Sequence, residues 1–245
     1  MRSRPGPLLA ELHAHTTWSD GHLSVRELVD LYGARGFDVL CVTDHTVRSD
    51  DPWLDSSEWS TRGVRREVHA SYVADILLEA ARGRALYDLL VLPGVELTYN
   101  AEDPDDAAHA VAVGLDQFVS VDAGIDGAIE TARAAGAAII AAHPFDDEPC
   151  EFESRRTRRF AVDPQLRSLV HRFELFNRTT LFGWVAREGL PVVASGDFHR
   201  PEHLAGWKTL LPCPKDAEAV VAYLRSARPV YLARVEDERA ALAAA

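Results

Sequence analysis

Short apolar runs alternate with amphipathic helical patterns along this chain, and this alternation restricts its fold more than any other feature. The runs at residues 37–43 and 137–142 are each preceded by a helix-like segment, and the alternation recurs about seven times. Such a pattern is typical of parallel strands joined by crossover helices. Because 47% of the 245 residues are apolar and no interdomain linker interrupts them, we predict a single α/β domain over residues 1–245.

Several element boundaries carry local signals. Ser24 and Glu27 form a capping-box pattern at the start of a helix. A second helix is expected over residues 66–87, followed by a strand at residues 89–92 that the Pro-Gly pair at 93–94 should end. These signals support the alternating pattern but do not by themselves place the strands in space.

Two polar segments are too long to be ordinary connections. Residues 46–63 and 145–162 match no regular pattern, and long irregular segments in compact domains are often lids or substrate walls. We therefore predict that both border a functional site. The alanine-rich tail at 236–245 is expected to be a frayed helix.

The charge balance argues against a general nucleic-acid binder. Lysine and arginine number 26 against 38 aspartate and glutamate residues, which gives a net charge of -12. Proteins that neutralise phosphate backbones usually carry the opposite sign, so no stable nucleic-acid partner is expected. An excess of carboxylates suits a site that concentrates divalent cations.

Cysteine usage and hydropathy point to a cytoplasmic protein without a membrane partner. Cys41, Cys150 and Cys213 are odd in number, and their spacing fits neither a disulfide framework nor a zinc knuckle. Reduced thiols in the cytoplasm are the simplest interpretation. The N-terminus lacks the apolar core of a signal peptide, and no run approaches the roughly 20 apolar residues that span a bilayer.

The chemistry-bearing stretch begins at His13 and His15, which directly follow an apolar run. Residues i and i+2 of an extended strand point to the same face, so both imidazoles should converge on one point. Asp20 follows in a Ser-Asp-Gly turn that can fold back toward them. Imidazole together with carboxylate is a donor set that borderline divalent metals prefer.

Similar residues recur at the ends of other apparent strands. The full set of candidate metal ligands is His13, His15, Asp20, His45, Glu96, His109, His143, Asp197 and His199. Each taken alone has an ordinary alternative: a His-x-His pair is often structural, His143 suits a core histidine, and Glu96 suits a solvated turn. Their joint placement favours a metal site. We interpret four further histidines as non-ligands, namely His22, His69, His171 and His203, and Asp44 as either a ligand or an outer partner of one.

Taken in order, these motifs resemble those of the PHP (polymerase and histidinol phosphatase) family. The matching stretches are His13-x-His15 with Ser19-Asp20-Gly21, Thr43-Asp44-His45, Gly94-Val95-Glu96, His109 before an apolar run, Ala142-His143-Pro144 and Asp197-Phe198-His199. The resemblance implies a distorted seven-stranded (β/α)7 TIM-like barrel with a trinuclear metal centre at its mouth.

The resemblance also implies how the ligands divide. One metal would take His13, His15, Glu96 and Asp197. A second would share Glu96 and add His109 and His143. A third would take Asp20, His45 and His199, although some family members carry histidine at the position of Asp20. Two or three divalent ions per chain are expected, as manganese, zinc or iron, and the catalytic residues would be Glu96, Asp197 and His199.

The implied activity is metal-dependent hydrolysis of small phosphate esters. A multinuclear centre would hold a hydroxide whose pKa is lowered toward about 7 and would need no side-chain nucleophile. Arg178 and Lys208 are candidates to bind a substrate phosphate, with ordinary surface charge as the alternative for each. The arginines at 155, 156, 158 and 159 are a solvated or salt-bridged face, or they reach a second phosphate.

Other functions remain open from the sequence. The same metals would serve a 3′→5′ exonuclease, a cyclic-nucleotide diesterase or a histidinol phosphatase, and a non-catalytic metal-stabilised scaffold is a reading from another class. The substrate would be a small phosphorylated molecule such as a nucleotide, as a monoester or a diester. The sequence does not predict the oligomeric state.

Overall fold

The computed structural model describes residues 6–55, 63–146 and 157–236. Within these ranges lie eleven strands and seven α-helices. The strands are β1 (Leu8–Glu11), β2 (Val39–Val42), β3 (His45–Val47), β4 (Leu90–Tyr99), β5 (Ala108–Val113), β6 (Ala138–Ala142), β7 (Arg172–Asn177), β8 (Thr180–Leu181), β9 (Val192–Ser195), β10 (Gly206–Leu211) and β11 (Tyr231–Val235). The helices are α1 (Val25–Ala34), α2 (Arg66–Tyr87), α3 (Ile125–Ala134), α4 (Arg159–Val162), α5 (Pro164–Leu169), α6 (Gly183–Arg187) and α7 (Ala217–Arg225).

All the strands belong to one mixed sheet. Its hydrogen-bonded path runs β11-β10-β1-β2-β4-β5-β6-β7-β8, with β3 also paired to β4 and β9 also paired to β7. The predicted α/β class is correct, but the prediction of parallel strands throughout is wrong. Strand β5 runs antiparallel to both β4 and β6, and β10 runs antiparallel to β1. The connection from β4 to β5 contains no helix and is too short for a parallel crossover.

The sheet curls so that β9 and β10 lie side by side. A side chain joins them in place of a backbone ladder, because Thr209 Oγ1 accepts a hydrogen bond from Ala194 N at 2.9 Å and donates one to Ala194 O at 2.7 Å. The described strands number eleven rather than seven, and the path ends at β8 and β11 without closing. The structure therefore has a curled mixed sheet where the sequence predicted a seven-stranded barrel.

Strand β4 does not stop at its Pro-Gly pair, contrary to the sequence prediction. Pro93 takes the last register position opposite β2, and β3 takes over the pairing from Glu96 onward. The missing N–H of Pro93 therefore falls where the neighbouring strand changes. A Cβ at Gly94 would lie 2.5 Å from Ala112 O, so the close approach of β5 requires glycine there.

Apolar side chains cover both faces of the sheet. The larger cluster joins α1, α2 and α3 to the outer face, through residues such as Leu28, Ile76 and Ile129. A second cluster fills the inside of the curl, where Val220 and Leu224 of α7 pack against β1, β5 and β6. No helix in the described ranges combines the length and apolar character that a membrane crossing requires.

The two predicted lid segments are only partly described. Within 46–63, β3 and a short 3-10 helix (Pro52–Asp55) replace the expected irregular loop, and residues 56–62 lie outside the described residues. Within 145–162, residues 147–156 lie outside them, as do Cys150, Arg155 and Arg156. Arg158 and Arg159 form ion pairs with Asp105 and Asp126, which fits a salt-bridged face. Of the predicted tail, only Glu236 is described.

Candidate metal centre

The candidate ligands come from one rim of the sheet. His13 and His15 follow β1, His143 follows β6, and Asp197 follows β9, all at the carboxyl ends of strands. His109 instead opens β5, and it reaches the same rim because β5 runs in the opposite direction. The antiparallel strand thus explains why this one histidine precedes its apolar run.

All nine candidate ligands lie in mutual contact at this rim, divided into three groups. Within a group, the donor atoms are all within 4.8 Å of one another. The groups are His15, Asp20, His45 and His199; His13, His15 and Asp197; and Glu96, His109 and His143.

The geometry around His13 and His15 matches a tetrahedral site. Their Nε2 atoms are 3.0 Å apart, and each lies 3.4 Å from Glu96 Oε2. Asp197 Oδ1 lies 3.6 Å from His13 Nε2 and 3.5 Å from His15 Nε2. A regular tetrahedron with metal–ligand bonds of about 2.0–2.1 Å has edges of about 3.3–3.4 Å. The four side chains therefore fit one divalent ion without rearrangement.

Glu96 lies between this group and the next. Its Oε1 atom is 3.0 Å from His109 Nδ1 and 3.1 Å from His143 Nε2, while its Oε2 atom faces His13 and His15. Oε2 is buried and has no hydrogen bond to the described residues. His45 Nδ1 lies 2.8 Å from it, but that nitrogen makes its hydrogen bond with Thr98 Oγ1 at 2.7 Å. An orphaned buried carboxylate oxygen amid imidazoles fits a bridging metal ligand.

The third group surrounds Asp20. Its Oδ2 atom lies 2.9 Å from His199 Nε2, and its Oδ1 atom lies 3.6 Å from His45 Nε2 and 3.7 Å from His15 Nδ1. These spacings again leave room for one ion, in the grouping implied by the family resemblance.

Electrostatics in the cluster favour ionised carboxylates. Burial acts to raise the pKa of Asp20, Glu96 and Asp197, but the surrounding histidines outweigh it and hold each carboxyl pKa below its ordinary range. All three groups are therefore ready to bind a cation at neutral pH.

The histidines divide into two sets. Burial, reinforced by His199 and His45, lowers the pKa of His15 to about 3, and burial lowers the pKa of His109 to about 4. Burial also acts against protonation of His45, but Glu96 and Asp20 raise its pKa to about 9. Cation binding must therefore displace a proton from His45, while His15 and His109 are already neutral.

Backbone strain is concentrated at this rim. His143, Arg178 and Asp197 have φ angles of 30°, 55° and 42°, in a region that L-residues rarely adopt. Such conformations cost about 1–3 kcal/mol each and persist where the surroundings over-determine them, often at functional sites.

Two buried glutamates that sequence reasoning missed support the ligands. Glu174 Oε1 lies 2.9 Å from His13 Nδ1, and its Oε2 accepts a hydrogen bond from His143 N at 2.6 Å. Glu11 accepts hydrogen bonds from the backbone on both sides of the centre. Each stands in a strand among apolar neighbours, which was the one available signal of burial.

The other predicted residues have distinct positions. Asp44 does not join the three groups: it accepts hydrogen bonds from Thr16 N and from Ser19 Oγ, and so holds the turn that presents Asp20. The four histidines interpreted as non-ligands, His22, His69, His171 and His203, also lie outside the groups. His203 contacts a ligand indirectly, because its Nδ1 accepts from His199 N at 3.1 Å.

A pocket of about 260 Å³ opens above the centre, with Trp53, Phe145 and Phe182 among its walls. Arg178 also lines it, as predicted for a substrate-binding residue. Lys208 does not, and its predicted contact with substrate is corrected here. Its side chain is fully buried and its Nζ pairs with Glu11 Oε2 at 2.9 Å, beneath the centre rather than in the pocket.

A curled α/β sheet with nine convergent imidazole and carboxylate ligands defines a protein built to hold divalent metal ions. The chain matches the PHP domain over residues 11–143. This match covers more than half of its length, and the chain belongs to the PHP domain family.

Individual relatives are distant. A 41-residue stretch is 39% identical to the DNA polymerase/3'-5' exonuclease PolX of Bacillus subtilis (strain 168), and it covers 17% of this chain but only 7% of that protein. A two-domain protein of Bacteroides vulgatus, described as containing a predicted PHP-like metal-dependent phosphoesterase, superposes with a TM-score of 0.63 at 17% identity, over 95% of this chain and 69% of its own. An amidohydrolase of Chromobacterium violaceum, with bound sulfate and no metal, gives a TM-score of 0.56 at 16% identity, over 94% and 99%. At these identities the structural matches establish the fold alone.

Proposed function

We propose that this protein is a metal-dependent hydrolase of phosphate esters. Its substrates would be small phosphorylated molecules, nucleotides among them, as monoesters or small diesters. The observation that carries the proposal is the placement of Glu96, whose two oxygens face separate ligand groups on the floor of a pocket. The description of the Bacteroides vulgatus relative as a phosphoesterase supports the same class.

The ligand sets define how cations would be held. One ion would be held by His13, His15, Glu96 and Asp197, and a second by Glu96, His109 and His143. Asp20, His45 and His199 would hold a third. When bound, such ions would supply Lewis-acid stabilisation of charge on phosphate oxygens and a water that ionises near neutral pH. Imidazole-rich sets with carboxylates suit manganese, zinc or iron.

The chain offers no activated serine near the ligands. Ser19 Oγ donates to the buried carboxylate of Asp44 at 2.6 Å. Ser195 Oγ donates to Glu174 in a short hydrogen bond. Both hydroxyls are buried and serve as donors to structural carboxylates, so the attacking oxygen would come from water.

Arg178 is the proposed anchor for a substrate phosphate. Its Nε donates to Gly196 O, and its Nη2 donates to Asp197 O at 2.9 Å and Asp197 Oδ2 at 3.2 Å. Its Nη1 makes no hydrogen bond to the residues that the structure describes, and the side chain is 26% exposed at the pocket wall. A guanidinium held in place with donors to spare is suited to binding a phosphate oxygen.

We therefore expect Arg178→Met to raise the KM for a phosphate ester by about 10- to 100-fold, the loss of a charge-assisted hydrogen bond. The effect on KM should exceed that on kcat. Arg35→Met, at an exposed arginine after α1, is the matched control and should leave both constants unchanged. Steady-state kinetics check this, and an unchanged KM in Arg178→Met would remove the anchor from the proposal.

The activity itself is tested by phosphate release. Purified protein, loaded with manganese, zinc or iron in turn, is expected to hydrolyse some members of a panel of nucleotides and sugar phosphates. His143→Ala removes a candidate ligand of the second ion and should lose most of that activity. Absence of phosphate release with every metal, together with no activity that depends on His143, would overturn the proposed function and favour a metal-stabilised scaffold.

The short match to a 3'-5' exonuclease gives a second candidate. A nuclease that holds single strands should show binding that weakens steeply with salt, as counterions are released from the phosphate backbone. The net charge of -12 opposes this reading. Binding of a labelled single-stranded oligonucleotide at two salt concentrations separates the candidates. No specific observation favours histidinol phosphate or a cyclic nucleotide.

A further inference from the structure

A buried ion pair lies directly beneath the metal centre. Glu11, the last residue of β1, and Lys208 of β10 are both fully buried, with Oε2 and Nζ 2.9 Å apart. Tyr32 OH donates to the same Oε2 atom at 2.9 Å. Buried ion pairs rarely stabilise a fold more than apolar residues of the same volume would, so this pair invites a functional explanation.

The second oxygen of Glu11 contacts two parts of the chain that carry ligands. Its Oε1 atom accepts hydrogen bonds from Gly196 N at 2.7 Å and from His13 N at 3.3 Å. Gly196 immediately precedes Asp197, whose backbone is strained. One carboxylate therefore binds both the segment of His13 and the segment of Asp197, two ligands of the same candidate ion.

This contact matters because the sheet provides few others between those segments. Strand β1 pairs with β2 and β10, whereas β9 pairs with β7. The described backbone link is one isolated bridge, Ala14 to Phe198. The distance between the two halves of the centre is thus set by this bridge and by the Glu11 carboxylate.

The packing around Gly196 leaves no slack. A Cβ at this position would lie 2.3 Å from Glu11 Oε2 and 2.4 Å from Lys208 Nζ. Because the pair is enclosed on all sides, it holds the carboxylate at a fixed height against the turn before Asp197.

We propose that Glu11, held by Lys208, is a positioning residue for the metal centre: by binding Gly196 N it fixes Asp197 at the correct spacing from His13 and His15. This inference rests on the proposed metal-dependent function. Residues that orient ligands from behind typically change metal affinity by about 10- to 100-fold when replaced.

Two double substitutions separate positioning from stability. Glu11→Leu with Lys208→Met removes both charges and also the acceptor for Gly196 N. Glu11→Gln with Lys208→Met removes both charges but keeps one acceptor oxygen. We expect the first to weaken Co²⁺ binding by about 10- to 100-fold and alter the visible Co²⁺ spectrum, and the second to restore wild-type affinity within about threefold.

A second buried lysine pair provides the matched control. Lys215 Nζ lies 2.7 Å from Asp38 Oδ1, and Asp38 Oδ2 accepts from Leu9 N at 3.0 Å, at the opposite end of the strands. Asp38→Asn with Lys215→Met should affect thermal stability without changing Co²⁺ affinity.

The outcomes are distinguishable. Unchanged affinity in a folded Glu11→Leu/Lys208→Met protein overturns the positioning role, as does an equal loss of affinity in the control pair. If the first variant does not fold, Gly196→Ala, which forces the pair apart without removing a charge, is titrated in its place, and unchanged affinity there also overturns it. Absence of Co²⁺ binding by the wild-type protein would instead overturn the proposed function.

Discussion

The substitution Glu96→Gln is expected to lower the turnover of phosphate esters by about a thousand-fold, equivalent to about 4 kcal/mol of transition-state stabilisation. An amide has one acceptor oxygen, whereas the Glu96 carboxylate presents Oε1 to His109 and His143 and Oε2 to His13 and His15. The variant can serve one group only, and its NH2 would face imidazole nitrogens that should bind a cation.

Cation content and turnover are measured together for this variant. Metal analysis after gel filtration should find at least one divalent ion fewer per chain than in the wild-type protein. His22→Asn is the matched control, since His22 is exposed and follows the same turn as Asp20 without joining the ligand groups. Full turnover with full metal content in Glu96→Gln would contradict a bridging role.

The ligand set was within reach of the sequence because its signals are local. A histidine or carboxylate that directly follows an apolar run, as in Ala142-His143-Pro144, marks a strand end whatever the strand pairs with. The structure brings all nine candidates together in three groups. The grouping itself came from the family resemblance, since residue spacing does not encode which distant segments meet.

The supporting residues were beyond reach for the opposite reason. Glu11 binds Gly196, 185 residues away in the chain, and Glu174 contacts His13 across 161 residues. In the sequence each is a single acidic residue in a strand, which is indistinguishable from an exposed position. Lys208 misled the prediction in the same way: a lysine suggests the surface, and its partner on β1 is visible only after folding.

Strand direction was likewise hidden. The run at β10 includes Lys208 and Thr209, so its polar letters concealed a buried strand. The Pro-Gly pair in β4 suggested a break because pairing with two successive neighbours cannot be seen in one segment. Local patterns established the class of fold, whereas the number and direction of strands depended on long-range pairing.

Removal of divalent cations is expected to lower the thermal midpoint by about 8–16 °C. A ligand present at a thousand times its Kd stabilises the folded state by about 4 kcal/mol, and in a chain of this size each kcal/mol corresponds to about 2–4 °C. The fold should survive without cations, because protonated His45 then partly offsets the negative charge of Glu96 and Asp20.

Differential scanning calorimetry with chelator, and then with manganese restored, measures this shift. The midpoint should rise with the logarithm of cation concentration, as expected when an ion binds only the folded state. His143→Ala, with one ligand of the second ion removed, should recover less of the shift than the wild-type protein. A midpoint that ignores chelator and manganese alike would contradict a preformed cation cluster. Recovery of the midpoint without recovery of phosphate release would point to a structural role for the ions, because binding energy and turnover are then separated.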